Sequence, residues 1–173
     1  MRLIEGTATV DDLDAFLGDL TEIGAETGCT VQAFDAGYVV DRTHLERALE
    51  SADRAIDRGE NVARDRGVEV MLYAAGRRQI DRALTLGVSE GECAVVVLVA
   101  ERNCEAARDE TDGDEDAAAA AVRDLLTPGD TLGEYDQSLV REYFDVTDTE
   151  LAAAAGTLAD VIHERVALLD VRK

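Results

Sequence analysis

The chain has 173 residues, and its 38 acidic against 17 basic side chains give a net charge of −21. This length is sufficient for one buried core without disulfides or metals, and 46% apolar with 32% charged residues excludes a disordered chain. No apolar run approaches the roughly 20 residues of a membrane-spanning helix.

The charge is unusual in kind as well as in amount. Lys173 is the one lysine, and all other basic residues are arginine. An excess of carboxylates with so little lysine indicates adaptation to molar salt, where the Debye length falls to about 3 Å at 1 M. Three cysteines without C-x-x-C spacing predict reduced thiols and a cytoplasmic protein.

Periodicity predicts a strand at 2–5, a helix at 11–27 and a strand at 29–34. A long helix is predicted to begin near Thr43, which has capping-box spacing to Glu46. Gly59 is expected to interrupt this helix.

The following segment predicts a strand at 68–73, a tight turn at 74–76 and a helix at 77–86. Residues 94–99 are the most hydrophobic run and predict a central strand. Residues 105–116 carry seven acids and predict a solvated loop.

Three helices are predicted in the last third of the chain, at 117–126, at 139–144 and at 147–169. The last begins at a second capping box, Thr147 to Glu150. Because the strands are few and short and the helices flank them, we expect one α+β domain over residues 1–173, with a small sheet covered by helices.

Arginine is concentrated in one segment. Residues 42–82 hold nine arginines and eight acids, whereas the remaining residues hold eight basic and thirty acidic side chains. A chain so acidic that places more than half its arginines in one segment is expected to use them for an anionic or carboxylate-rich partner.

The strongest candidate for a binding site is the predicted helix that begins with Arg77, Arg78 and Gln79. A helix N-terminus attracts anions, so positive side chains there are locally unfavourable and suggest a use. Arg77 can pair with Asp81, which leaves Arg78 and Arg82 on one face without an acid between them. Guanidinium groups suit phosphate or base stacking, although pairing with distant carboxylates remains an alternative.

Signatures of catalysis are missing from the sequence. His44 and His163 are the two histidines, neither has a metal-ligand partner at helical spacing, and both are expected to be structural or surface residues. No Walker loop, nucleophile elbow or EF-hand is present. We therefore expect a protein that is not an enzyme and holds no cofactor or metal.

A family resemblance covers residues 38–99. The residues that carry it are His44-Leu45, alanines 48, 52 and 55, Gly59-Glu-Asn61-Val-Ala63, Glu69-x-x-Leu72 and Ala75-Gly76-x-Arg78-Gln79-Ile80-x-x-Ala83-x-x-x-Gly87. This pattern resembles the small regulatory subunit of the KEOPS complex, the family of the PRPK-binding protein. Arg77 departs from the small polar residue typical of the family.

The resemblance implies a non-catalytic subunit with a small antiparallel sheet flanked by helices. Family members bind and stimulate the kinase-like ATPase of KEOPS, which makes threonylcarbamoyladenosine next to the anticodon of tRNAs. Archaeal members contact the single-stranded CCA end of tRNA. The resemblance thus implies two partners for this chain, the kinase-like subunit and tRNA.

Molar salt weakens phosphate contacts, whereas stacking and base-edge hydrogen bonds survive better. We therefore expect a small RNA pocket and not a basic groove. The candidate RNA-binding residues are Gly76, Arg77, Arg78, Gln79 and Arg82, with Tyr73 as the stacking residue.

Amphipathicity of the last helix suggests a surface for the kinase-like subunit. Its candidate residues are Leu158, Val161, Ile162 and Arg165. Two alternatives stay open: a protein-interaction module without RNA contact, and a domain that binds a small anionic ligand at the helix N-terminus.

Overall fold

The computed structural model describes residues 1–101, 113–154 and 156–170. They form two compact units, Met1–Asp35 with Gly87–Thr131 and Ala36–Leu86 with Leu132–Lys173, and each is described by itself. Most of the acidic segment predicted at 105–116, and Cys104 just before it, lie outside the described residues. The prediction of one domain over the whole chain stays a prediction.

The first unit contains a four-stranded antiparallel sheet, in which the third strand along the chain lies between the second and the first, and the fourth lies on the other edge of the first. Its strands are β1 (Arg2–Val10), β2 (Cys29–Asp35), β3 (Gly91–Glu101) and β4 (Thr127–Pro128). The long strand β3 pairs with β1 from Val99 opposite Arg2 to Gly91 opposite Val10, and with β2 on its other edge. The central position predicted for 94–99 is confirmed, whereas β1 is longer than the predicted 2–5.

Helices α1 (Leu13–Thr27) and α5 (Glu115–Asp124) pack on one face of this sheet. Alternate residues of the strands meet apolar residues of these helices in a common core. Its largest side chains are Ile4, Val10, Leu20, Ile23, Val95, Val97, Val99, Val122 and Leu126. An antiparallel sheet with helices packed against it confirms the predicted α+β class.

The second unit is helical in its described residues. It contains α2 (Arg42–Asp57), α3 (Arg66–Ala74), α4 (Ile80–Ala83), α6 (Gln137–Tyr143), α7 (Asp148–Ala153) and α8 (Leu158–Leu168). Helix α2 packs against both α3 and α8. The N-cap of α2 is Asp41 and not Thr43, and the helix ends before Gly59, whose φ of 67° no continuing helix could adopt.

Two buried ionic groups tie α3 to its surroundings. Arg66 is 7% exposed and bonds both carboxylate oxygens of Asp53 on α2, at 2.7 and 2.8 Å. Glu69 is 2% exposed and accepts the backbone N–H groups of Val62 and Ala63 at 3.0 and 2.8 Å. The segment between α2 and α3 is thereby fixed to α3.

The strand predicted at 68–73 is wrong, because these residues lie in α3. Asp65 caps the helix by accepting the N–H of Val68, and eight of its nine residues are buried. The apolar run at 70–75 shows no amphipathic period, and periodicity alone cannot distinguish such a run from a buried strand.

The single helix predicted at 147–169 is two helices in the structure. Thr147 caps α7 as predicted, but that helix ends at Ala153. Thr157 then starts α8 with its own capping box, in which Thr157 and Asp160 exchange side-chain to backbone bonds. The short helical piece predicted at 139–144 is confirmed as α6.

Candidate nucleic-acid interface

The segment that joins α3 to α4 contains Arg77 and Arg78, two of the arginines predicted to bind RNA. Gly76 has a φ of 59°, and its N–H donates to Tyr73 O at 2.9 Å as the chain leaves α3. A Cβ at Gly76 would meet Cβ of Arg165 at 3.4 Å, an ordinary van der Waals contact, so it is the positive φ that favours glycine here. Gly76 is therefore a turn residue that sets the direction of the two arginines after it.

The helix predicted at 77–86 is helical from Ile80 on, but its predicted start at Arg77 is wrong. Helix α4 has four residues, a one-turn 3₁₀ segment follows at Leu84–Leu86, and Arg77 and Arg78 precede the helix. One isolated turn does not accumulate the dipole of a long helix. The anion site expected from a helix N-terminus therefore has no structural basis here.

Arg77 is held inside the second unit by residues at the end of α6. Its guanidinium donates to Tyr143 O at 2.5 Å and to Asp145 Oδ2 at 3.1 Å, and it lies over the Tyr143 ring, 5.1 Å from the centroid. The expected pairing with Asp81 is thus replaced by one with Asp145. Arg77 acts as a bridge to α6 and is 23% exposed.

Arg78 and Arg82 have no carboxylate within salt-bridge distance in the described parts of the chain. Arg78 is half-buried; its guanidinium donates to Leu169 O at 3.5 Å, and its Nε is buried without a partner. Arg82 and Gln79 are exposed. Of the predicted cations, Arg82 is therefore the most available to an external anion.

Tyr73 is not available for stacking. It is 2% exposed in α3, and its hydroxyl donates to Asp170 Oδ1 at 2.5 Å. Burial, and then the bond to the Asp170 carboxylate, raise the pKa of the Tyr73 hydroxyl. The expectation that Tyr73 stacks on a base is wrong, because a side chain inside the unit has no free ring face.

A different aromatic residue lies beside Arg82. An open cleft of about 350 Å³, here named the Tyr143 pocket, is lined by Tyr38, Arg77, Arg82, Thr85, Leu139, Glu142, Tyr143 and Asp145. Tyr143 is fixed there by its hydroxyl, which donates to Arg82 O at 2.8 Å. The rings of Tyr38 and Phe144 meet it edge-on, at centroid distances of 5.5 and 5.0 Å.

The sequence reasoning missed the aromatic part of this pocket. Tyr38 and Tyr143 are more than 100 positions apart, and neither belongs to the arginine-rich segment. One signal was present: aromatic residues are 4% of the chain, so the adjacent pair Tyr143-Phe144 is a marked concentration.

The residues predicted to meet the kinase-like subunit are mostly internal. Leu158, Val161 and Ile162 are 8%, 3% and 0% exposed, and their helix α8 packs against α2. Arg165 bonds both oxygens of Glu150 at 2.9 and 3.1 Å. Leu158, Val161 and Ile162 are buried, and Arg165 is partly exposed but engaged with Glu150, so a docking surface on α8 would have to use mostly other side chains.

No helix within the described residues is both long and apolar enough to cross a membrane. The same residues contain no group of three or more His, Cys, Asp or Glu side chains that could hold a metal.

Comparison with known protein families then identifies the chain at family level. The family model described as kinase binding protein CGI-121 matches residues 12–170. The chain belongs to this family. No curated protein matches the sequence.

The CGI-121 match extends the resemblance seen at residues 38–99 to nearly the whole chain and confirms it. The description of the family gives its members a kinase as partner. It thereby supports a kinase-binding, regulatory role for this chain as well.

Proposed function

We propose that this CGI-121 member is a non-catalytic regulatory subunit of the KEOPS tRNA-modifying complex. In this role it binds and stimulates the kinase-like ATPase subunit and helps to recruit tRNA through the single-stranded CCA end. The observation that carries the proposal is the family match over residues 12–170, with its kinase-binding description.

The second unit provides support for the RNA part. Arg82 is exposed without an acidic partner in the described residues, and it borders a cleft that contains Tyr143 and Tyr38. Cations and aromatic rings in one cleft are typical of proteins that bind single-stranded nucleic acid. Gln79 is exposed in the same segment and offers an amide for a base edge or a sugar.

The charge of the chain restricts how RNA could be bound. With a net charge of −21, an extended phosphate-binding surface is not expected, and each phosphate contact would lose affinity as salt rises. Stacking and base-edge bonds contribute about 1–3 kcal/mol per base and depend less on salt. A small cleft for one or a few nucleotides agrees with this requirement.

A protein-interaction module without RNA contact is the second candidate. It is favoured by Arg77 and Arg78, which bond Asp145, Tyr143 O and Leu169 O inside the unit. Two of the three arginines thus have a structural use that requires no RNA. The kinase-binding part of the proposal is common to both candidates.

The kinase-binding part is tested by titrating this chain into the kinase-like ATPase subunit of the same organism in about 2 M KCl, where acidic surfaces are screened. Calorimetry should show a one-to-one complex, and ATP turnover of the kinase-like subunit should rise when the chain is added. This chain alone should turn over no ATP. Absence of a complex in both high and low salt would contradict the proposal.

A further inference from the structure

Helix α7 is attached to the second unit without a buried side chain. None of its six residues is buried, whereas Val146 just before it and Leu158 at the start of α8 are 6% and 8% exposed. A helix of this length is not stable by itself, since isolated helices shorter than about 12 residues are marginal in water. The segment 147–154, here named the strap, therefore depends on bonds to neighbouring elements to stay in place.

Two carboxylates of the strap form ion pairs with other helices. Asp148 pairs with Arg141 of α6, and Glu150 pairs with Arg165 of α8, whose Nη2 donates to both carboxylate oxygens at 2.9 and 3.1 Å. The hydroxyl of Thr147 accepts the N–H of Glu150 at 3.1 Å, but this bond is local to the strap. Of the side-chain bonds that the described residues show for the strap, the two ion pairs are those that reach beyond it.

Exposure distinguishes the two ion pairs. The side chain of Asp148 is 92% exposed, and ion pairs at the surface contribute little and are screened by salt. The side chains of Glu150 and Arg165 are 37% and 24% exposed, so salt screens their attraction less. The pair of Glu150 with Arg165 is therefore the contact expected to hold the strap in concentrated salt.

The closed strap leaves one donor of this pair unsatisfied. Nε of Arg165 is buried and has no hydrogen-bond partner among the described residues. A buried donor without a partner costs free energy, which contact with water recovers. Release of Glu150 would allow the guanidinium to move toward water, and this gain would offset part of the lost ion pair. A small free-energy difference between the closed and the open strap follows.

We propose that the strap opens by itself while α2, α3 and α8 stay folded, and that the ion pair of Glu150 with Arg165 is the contact that keeps it closed. Segments with few buried side chains are those that open locally at a low cost in free energy. Opening uncovers the guanidinium of Arg165, which the closed strap pairs with an internal carboxylate. This inference requires neither RNA binding nor kinase binding.

Hydrogen exchange of the intact chain in about 2 M KCl, measured by mass spectrometry, tests the opening. In wild type, the backbone amides at 150–154 should exchange at least about tenfold faster than the hydrogen-bonded amides of α3 and α8. Glu150→Gln should accelerate exchange in the strap by a further factor of about five or more, because an amide offers no charge to Arg165. Exchange in α3 and α8 should stay as in wild type.

Asp148→Asn provides the matched control. It removes the same charge from the first turn of α7, so it weakens the interaction with the helix dipole in the same way, but it leaves the pair with Arg165 intact. Exchange in the strap of this variant should stay within about twofold of wild type. Glu164→Gln, which removes a charge from an exposed position of α8, should change exchange in neither helix.

Three results would overturn the inference. Equal exchange rates of the strap and α8 in wild type would mean that the strap opens only when the whole unit unfolds. Faster exchange of α8 together with the strap in Glu150→Gln would indicate a loss of global stability. Equal effects of Glu150→Gln and Asp148→Asn would mean that the charge of the first turn, and not the pair with Arg165, keeps the strap closed.

Discussion

His44 shows how one residue type serves structure in this chain and not chemistry. It is fully buried; Nδ1 accepts the N–H of Val40 at 3.4 Å, and Nε2 donates to Ala74 O at 2.8 Å in the tautomer that this bond requires. Burial is the main cause that lowers the pKa of His44 to about 4, against the opposing effects of the Ala74 carbonyl and Asp41. The expectation of a structural histidine is confirmed.

This lowered pKa predicts acid sensitivity. Between about pH 6.5 and 4 the unfolded chain protonates His44 and the folded chain does not, so the free energy of unfolding falls as pH falls through this window. A pKa shift of this size contributes roughly 3 kcal/mol to the free energy of unfolding over the whole window. Urea denaturation in high salt at pH 7 and at pH 4.5 should show most of this loss.

His44→Gln provides the control, since an amide can still donate to Ala74 O and does not titrate in this range. The variant should lose less stability between the two pH values than wild type does. Equal losses in both proteins would assign the acid sensitivity to other groups.

Tyr73→Phe tests the assignment of Tyr73 as a structural residue. The change removes the bond from its hydroxyl to Asp170, and a hydrogen bond to a charged acceptor contributes about 1.5–3 kcal/mol. Thermal unfolding should show a destabilisation of this order, while affinity for single-stranded RNA stays the same. A loss of RNA affinity without a loss of stability would return Tyr73 to the binding site.

Residue types could be predicted from the sequence better than residue partners. The concentration of arginine at 77, 78 and 82 correctly drew attention to the segment that borders the pocket. That Arg77 bonds Asp145 and Arg78 bonds Leu169 O depends on contacts 68 and 91 positions apart along the chain. Local spacing contains no information about such pairs.

At the scale of elements, amphipathic patterns were informative and uniformly apolar ones were ambiguous. Helix α1 and strand β2 lie where the sequence predicts them, because the stripe of α1 and the glycine after it mark both ends. Helix α3, which is buried on nearly all sides, was predicted as a strand because residues 70–75 form an apolar run without a helical period. The Asp65 cap and the buried Glu69 were the local signs of a helix.

Glu69 is expected to stabilise the segment that links α2 to α3. Glu69→Ala would leave the N–H groups of Val62 and Ala63 without their acceptor, and each unsatisfied buried group costs about 1–3 kcal/mol. Chemical denaturation should show that the free energy of unfolding falls by at least about 2 kcal/mol. This value is at the lower end of the range for two groups, because part of the segment can reach water. Arg64→Ala, at an exposed position of the same segment, should cost much less.

At the scale of the whole molecule, acidic charge and a local cluster of arginines are compatible. From the net charge of −21 we expect hydrated carboxylates to keep the chain soluble and folded in concentrated salt, which solubility and unfolding measured across salt concentrations would test. For the proposed RNA contact, the Tyr143 pocket would need only one exposed cation, Arg82, because its aromatic and hydrogen-bonding groups would supply the remaining contacts. The composition could indicate that few cations are available for RNA, but only the fold shows that α4 and α6 lie together at the pocket.

The central claim is that the chain recruits tRNA through its single-stranded end at the pocket that Arg82 borders. The most direct test is the affinity for intact tRNA and for the same tRNA without its CCA end, in about 2 M KCl, with wild type, Arg82→Ala and the control Arg58→Ala. Trimming the tRNA and Arg82→Ala should each weaken binding about tenfold or more, and Arg58→Ala should not. Equal affinity for intact and trimmed tRNA would contradict the claim and leave a kinase-binding subunit without this RNA contact.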